Sequence, residues 1–345
     1  MHSLKKQRAK NIYYIIKLTT LLKKPFYQIT SNSLKLHPRL SPKIITFSFQ
    51  YKMYVDKPVN GHQKERKPVT VPRLLEMKQK GEKITMLTSY DASLTYHMER
   101  AGVDLILVGD SLGMVVQGHE STLPVTVENI VYHCQAVRRS VQNILLIADL
   151  PFQAASTFDD ALKASVRFLS EAGAAMIKLE GGSELTLEII RQLTKRSIPV
   201  CAHLGLTPQS VHALGGYKVQ GKNVDVAERI IREAHAVQQA GASLLVLECV
   251  PEKLAEQITN ELKIPTIGIG AGVKCDGQVL VVHDILGITP GRKSKFVKNF
   301  LTGRDSIHDA IEAYVQEVHE GTFSSRRAHI PLTLCCEVNK VYFDI

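Results

Sequence analysis

The sequence predicts an α/β protein built as a closed (β/α)8 barrel. Two observations carry that expectation. Short apolar runs of strand length alternate with longer amphipathic stretches, which implies parallel strands joined by helices. The runs are almost wholly apolar, as strands covered on both faces are. A third observation disfavours the open dinucleotide-binding sheet: the turn after the first run carries no Gly-x-Gly-x-x-Gly.

The runs come in order. The first seven strands are expected at Ile84 to Tyr90, Leu105 to Asp110, Leu145 to Leu150, Met176 to Glu180, Val200 to Gly205, Leu244 to Cys249 and Thr266 to Gly270. Phe296 to Phe300 supplies the eighth. Eight units over about 250 residues match the usual size of a closed barrel. Helical spacing covers Asp159 to Glu171, Glu184 to Arg196 and Val226 to Ala240. Thr157 is placed to cap the first of these, and Gly241 to stop the last.

The barrel is expected over residues 67–323, between two segments of different character. Residues 1–66 form a basic extension rich in Ser, Thr and Lys, with no acid before Asp56. It resembles a mitochondrial transit peptide, although it favours Lys over Arg and has few Ala. A disordered leader, with Met53 as an alternative start, is the other reading. Import would place the protein in the mitochondrial matrix; without it the protein would be cytoplasmic. The tail, 324–345, continues no pattern and is expected to be poorly ordered.

The charge of +10 does not point to nucleic acid. Eleven of the 43 basic residues sit in residues 1–55, which leaves 32 against 33 acidic residues for the remainder. A nucleic-acid enzyme spreads its basic residues over a folded face. No membrane partner is expected either: Ile12 to Leu22 is too short to span and contains Lys17. The six cysteines form no Cys-x-x-Cys pair and read as reduced core or surface thiols.

The chemistry is expected where the strands end. The runs finish in Asp110 and Ser111, in Asp149, in Lys178 and Glu180, in His203, and in Glu248. In a barrel these positions share the C-terminal mouth, where active sites form. A carboxylate there is costly unless paired, solvated or bound to metal. Taken singly, each has a plainer role. Asp110 or Asp149 could cap the next helix, and Lys178 and Glu180 could be a structural ion pair. His203 could be a core histidine, and Glu248 could pair with a lysine. All of these would have to coincide on one face. Hard oxygen donors without a thiolate favour Mg2+, although Mn2+, Co2+ or Zn2+ would also fit. The loop Gly215 to Gly221 has the flexibility of a lid, and Gly270 to Gly272 could approach a ligand or simply turn the chain.

At the same residues the chain resembles the ketopantoate hydroxymethyltransferase family. The carriers are Val108-Gly-Asp-Ser-Leu-Gly-Met114, Gln117-Gly-His-Glu-Ser-Thr-Leu-Pro-Val-Thr126, Ala148-Asp-Leu-Pro-Phe152 and Ile177-Lys-Leu-Glu-Gly-Gly182. His203-Leu-Gly-Leu-Thr-Pro-Gln-Ser210, Gly215-Gly-Tyr-Lys-Val-Gln-Gly221 and Leu245-Val-Leu-Glu-Cys-Val-Pro251 follow, then Ile267-Gly-Ile-Gly-Ala-Gly272 and Phe296-Val-Lys-Asn-Phe300. The nine segments keep family order over residues 69–323.

The resemblance implies a (β/α)8 TIM barrel of the phosphoenolpyruvate/isocitrate lyase type. It implies transfer of a hydroxymethyl group from 5,10-methylenetetrahydrofolate to 3-methyl-2-oxobutanoate, giving 2-dehydropantoate in pantothenate biosynthesis. It also implies Mg2+ at Asp110 and Asp149 with Glu180 near or on it, and oxo-acid binding by Asp110, Ser111, Asp149 and Lys178. Glu248 would accept the proton, Lys178 would add positive charge, and His203 would line the site. The family assembles as homodecamers. A carbon–carbon lyase or mutase on another 2-oxo acid is the nearest alternative, and a catalytically silent barrel a more distant one.

Overall fold

The computed structural model describes residues 66–289 and 294–323, together with the backbone of an antiparallel pairing of Ile29–Thr30 with Ser33–Leu34. The chain divides into two compact units, 1–64 and 65–345. Almost all of the basic extension, and the whole of the tail with Cys335 and Cys336, lie outside the described residues.

Eight parallel strands close the barrel in chain order: β1 (Ile84–Thr88), β2 (Leu105–Val108), β3 (Leu145–Asp149), β4 (Met176–Glu180), β5 (Val200–Gly205), β6 (Leu244–Glu248), β7 (Thr266–Ile269) and β8 (Gly277–Leu280), which pairs back onto β1. The α-helices among the described residues are α1 (Val71–Lys80), α2 (Ala92–Ala101), α3 (Leu112–Val115), α4 (Val127–Arg138), α5 (Phe158–Ser170), α6 (Glu184–Thr194), α7 (Val224–Gln239), α8 (Glu252–Glu261), α9 (Val282–Ile285) and α10 (Ile307–His319).

Helix boundaries follow local chemistry. Thr157 Oγ1 accepts the Asp160 N–H and caps α5, and Asn223 does the same for α7 through Val226. Past α7 the chain turns through Gly241 at φ +105°, a left-handed conformation suited to glycine. Among the described residues, no helix is long and apolar enough to cross a membrane. Cys134, Cys201, Cys249 and Cys275 are free thiols.

The first seven strands lie where the sequence places them, but the eighth does not. It is Gly277–Leu280, only seven residues beyond β7 and with no helix between. Its first residue must be very small: a Cβ on Gly277 would lie 2.3 Å from the Ile84 carbonyl oxygen. A glycine-led run of four so soon after β7 reads as loop. Phe296–Phe300 is irregular and forms no strand; Phe296 lines the cavity at the barrel mouth. The Phe300 ring is buried edge-on against Tyr314 of α10, and its N–H donates to the Ile285 carbonyl at 2.7 Å. The segment's apolar residues suggest a strand because two of them, Val297 and Phe300, are buried.

The pleat sorts the strands into two apolar layers. One lies inside the barrel, with Ile84 and Met86, Leu105 and Leu107, Leu145 and Ile147, Met176, Cys201, Leu244 and Val246. The other lies between barrel and helices and includes Leu87, Ile106, Leu146, Ile177, Leu204 and Leu247. Continuing the inner face toward the strand ends gives the positions that matter. Leu145 and Ile147 lead to Asp149, Met176 leads to Lys178 and Glu180, Cys201 leads to His203, and Leu244 and Val246 lead to Glu248. The interior is therefore apolar at the bottom and ionisable at the top.

Candidate active site

All seven residues singled out from the sequence line one cavity of about 1180 Å³ at this mouth. Strand pairing sets their neighbours. Asp149 on β3 stands opposite Lys178 on β4, Glu180 opposite His203 on β5, and Gly205 opposite Glu248 on β6. Asp110 and Ser111 lie just past β2, at the entry to α3.

Lys178 is the positive centre. Its Nζ lies 2.8 and 2.9 Å from the two carboxylate oxygens of Asp149 and 3.5 Å from Glu180 Oε1. Burial acts to lower its pKa, but Asp149, Glu180 and Asp110 outweigh burial and raise it. Burial pushes Asp110 well above the usual carboxylate range, and the charges of Asp149 and Glu180 push it further. Asp149 is raised by burial in spite of Lys178. Glu180 is lowered: burial opposes ionisation, but Lys178 and then His203 prevail.

His203 sits between two acids. Its Nδ1 lies 3.2 Å from Glu180 Oε1 and its Nε2 lies 3.3 Å from Glu248 Oε2. Neither contact has hydrogen-bond alignment, so the attraction is of charge more than of direction. Burial and Lys178 act to depress its pKa, but the two carboxylates dominate and raise it to about 9. Glu248 is the most open of the ionisable residues, its side chain 17% exposed against 2% for His203. It therefore faces the cavity with its back to a cation.

Three further residues shape the site, and the sequence reading did not single them out. The Tyr90 hydroxyl lies 2.8 Å from Ser111 Oγ, and burial raises its pKa, which keeps it a phenol. Gln209 bonds to Asp110, Leu150 and Glu180. Tyr217, in the glycine-rich loop, points its hydroxyl at Met114 Sδ at 3.6 Å across the mouth, and the Gln220 N–H of the same loop bonds to the Cys249 carbonyl. A glutamine in a loop after a strand, or a tyrosine in a connecting loop, carries no residue-type signal of its own.

A divalent cation can be tested against this donor set. Asp110 and Asp149 are adjacent, with the Asp110 N–H donating to Asp149 Oδ2 at 3.2 Å. Three buried carboxyl groups crowd around one lysine; burial and the charges of Asp149 and Glu180 make Asp110 costly to ionise, and a cation would offset that cost. Among the described residues, no three His, Cys, Asp or Glu side chains are arranged to hold one ion. Glu180, considered as a third ligand, has Oε1 toward Lys178 and His203 and Oε2 on the Gln209 N–H. The residues present fit an ion held by two aspartates, with its other positions left to water and substrate oxygens, as Mg2+ prefers.

The closed barrel and its buried ionisable mouth define a (β/α)8-barrel enzyme with its chemistry at the C-terminal ends of the strands. Residues 68–326 match the model of the family described as ketopantoate hydroxymethyltransferase, and the chain belongs to that family. A 3-methyl-2-oxobutanoate hydroxymethyltransferase of Shewanella loihica is 56% identical over 255 residues, covering 74% of this chain and 96% of that protein. A crystal structure of a putative phosphonomutase from Burkholderia cenocepacia J2315 shares the fold at 14% identity, with a TM-score of 0.51 over 63% of this chain and 94% of that one. A crystal structure of 2,3-dimethylmalate lyase, described as a PEP mutase/isocitrate lyase superfamily member, aligns with a TM-score of 0.47 at 15% identity, over 61% of this chain and 78% of that one.

Proposed function

We propose that the chain is a 3-methyl-2-oxobutanoate hydroxymethyltransferase, moving a one-carbon unit from 5,10-methylenetetrahydrofolate to give 2-dehydropantoate for pantothenate biosynthesis. The observation that carries this reading is the buried Asp149–Lys178 pair beside Asp110, inside a chain that matches this family from residue 68 to residue 326.

Asp110 and Asp149 would hold Mg2+, with Glu180 the adjacent carboxylate. The ion supplies Lewis-acid stabilisation for oxygen charge that grows as the oxo acid is enolised. Lys178 stays protonated and presents fixed positive charge to the same oxygens. Ser111, oriented by Tyr90, offers a hydroxyl to the substrate carboxylate. Glu248 takes the proton from C3, and His203 behind it holds that carboxylate in place. The carbon nucleophile so formed bonds to the methylene carbon of the folate as one of its two C–N bonds breaks. Water then displaces the second nitrogen and supplies the hydroxyl oxygen, and the two nitrogens take up the proton removed from C3 and one proton of the water. The cavity has room beyond the small oxo acid for part of a larger co-substrate.

The test is direct. Purified full-length chain should consume methylenetetrahydrofolate only when 3-methyl-2-oxobutanoate is present, and form one 2-dehydropantoate for each folate. Cleavage or rearrangement of a 2-oxo acid without folate would overturn the reading in favour of a lyase or mutase.

Two readings rest on sequence alone. The basic leader, without an acid before Asp56, supports import into the mitochondrial matrix, with the cytoplasm as the alternative, and a tagged chain would localise accordingly. The family resemblance supports a homodecamer, which light scattering would report as a mass ten times that of the 38.3 kDa chain. Neither nucleic acid nor membrane is a partner in this reading.

A further inference from the structure

Gln209 lies in the short 3-10 turn Pro208–Ser210 after β5, and it is not among the residues that line the cavity. Its contacts nevertheless reach the ends of three other strands. The side-chain nitrogen donates one hydrogen to Asp110 Oδ2 and one to the Leu150 carbonyl, each at 2.9 Å. The backbone N–H donates to Glu180 Oε2 at 3.1 Å. One residue thus ties together the segments that follow β2 and β3 and the last residue of β4.

We propose that Gln209 is a positioning residue that orients the Asp110 carboxylate for divalent-cation binding. This rests on the reading of Asp110 as a residue that holds the ion. The donor on Oδ2 fixes the plane of the Asp110 carboxylate. It leaves Oδ1, to which no described residue donates, as the oxygen free for a cation. Because the Leu150 carbonyl takes the second hydrogen, the amide cannot flip: its oxygen would then face two acceptors. A carboxylate or a thioether at this position cannot do the same work. Residues that orient metal ligands typically change metal affinity by about 10–100-fold when replaced.

The experiment uses full-length chain stripped of divalent ions, with Mn2+ alone as the calorimetric probe. Gln209→Met should keep its helical circular dichroism, bind Mn2+ about 10- to 100-fold more weakly, and show a higher oxo-acid KM. Its kcat should recover as Mn2+ is raised, a rescue that a merely structural defect would not show. Gln209→Asn, one methylene too short to span the contacts, should behave in the same way and serves if the methionine variant fails to fold. A folded variant with wild-type Mn2+ affinity would overturn the proposal. Wild-type chain that took up no Mn2+ would overturn the metal reading of Asp110 itself, and this inference with it.

Discussion

The ammonium of Lys178 lies within 2.9 Å of both carboxylate oxygens of Asp149, and both side chains are at most 5% exposed. A pair so buried is held by mutual need. Removing the lysine leaves Asp149, Glu180 and Asp110 together without their cation. Lys178→Met is therefore expected to lose about 3–5 kcal/mol of stability in denaturant unfolding. Its kcat/KM for the oxo acid should fall by at least ~10²–10³-fold. Unchanged stability would show that the pair is not compensated as described.

Glu248 carries the proton in this account. Glu248→Gln keeps the shape and removes the base. The variant should bind 3-methyl-2-oxobutanoate nearly as well as wild type in calorimetry, while its turnover drops by about 10²–10⁴-fold. A variant that turns over at the wild-type rate would assign the base elsewhere.

The His203 pKa, raised to about 9 from an ordinary 6.5, makes stability depend on pH. The folded state holds a proton that the unfolded chain has lost above pH 6.5. The contribution is fully present below pH 6.5 and is lost as pH rises through 9. In metal-free protein the unfolding free energy should fall by up to ~1.4 kcal/mol per pH unit across that window. His203→Asn should flatten the slope over the same range, and a wild-type curve already as flat as the variant's would contradict the charged His203.

Gly205 sits at φ +93°, and a Cβ there would meet the Glu248 carbonyl oxygen at 2.3 Å and Val250 Cγ1 at 2.7 Å. The Leu206 N–H donates to that same carbonyl at 2.8 Å. Gly205→Ala must move the end of β6, and Glu248 with it. A loss of at least ~1 kcal/mol and a lower kcat, with oxo-acid KM little changed, are expected from unfolding and steady-state kinetics.

Much of this site was legible because β-strand alternation is simple. Once Ile147, Met176 and Val246 are taken as core, Asp149, Lys178 and Glu248 fall on the same inner face two residues later. Asp110 was legible only as a strand end; the backbone leaves β2 at Val108, and a turn brings its carboxylate inward. Gln209 was not legible, because its role lies in long-range bonds to residues 99 and 59 positions away in sequence. The eighth strand was misplaced for a related reason. β8 is specified by its fit against Ile84 and Ile267, not by its own hydrophobicity, whereas Phe296–Phe300 has the apolar pattern without the pairing.

The most direct measurement of the central claim is exchange of the C3 proton of 3-methyl-2-oxobutanoate in D2O, followed by NMR, with full-length chain and no folate. The account predicts exchange in the presence of Mg2+, its disappearance after exhaustive chelation, and its return when Mg2+ is restored. Exchange that continues at the full rate in chelated protein would contradict it.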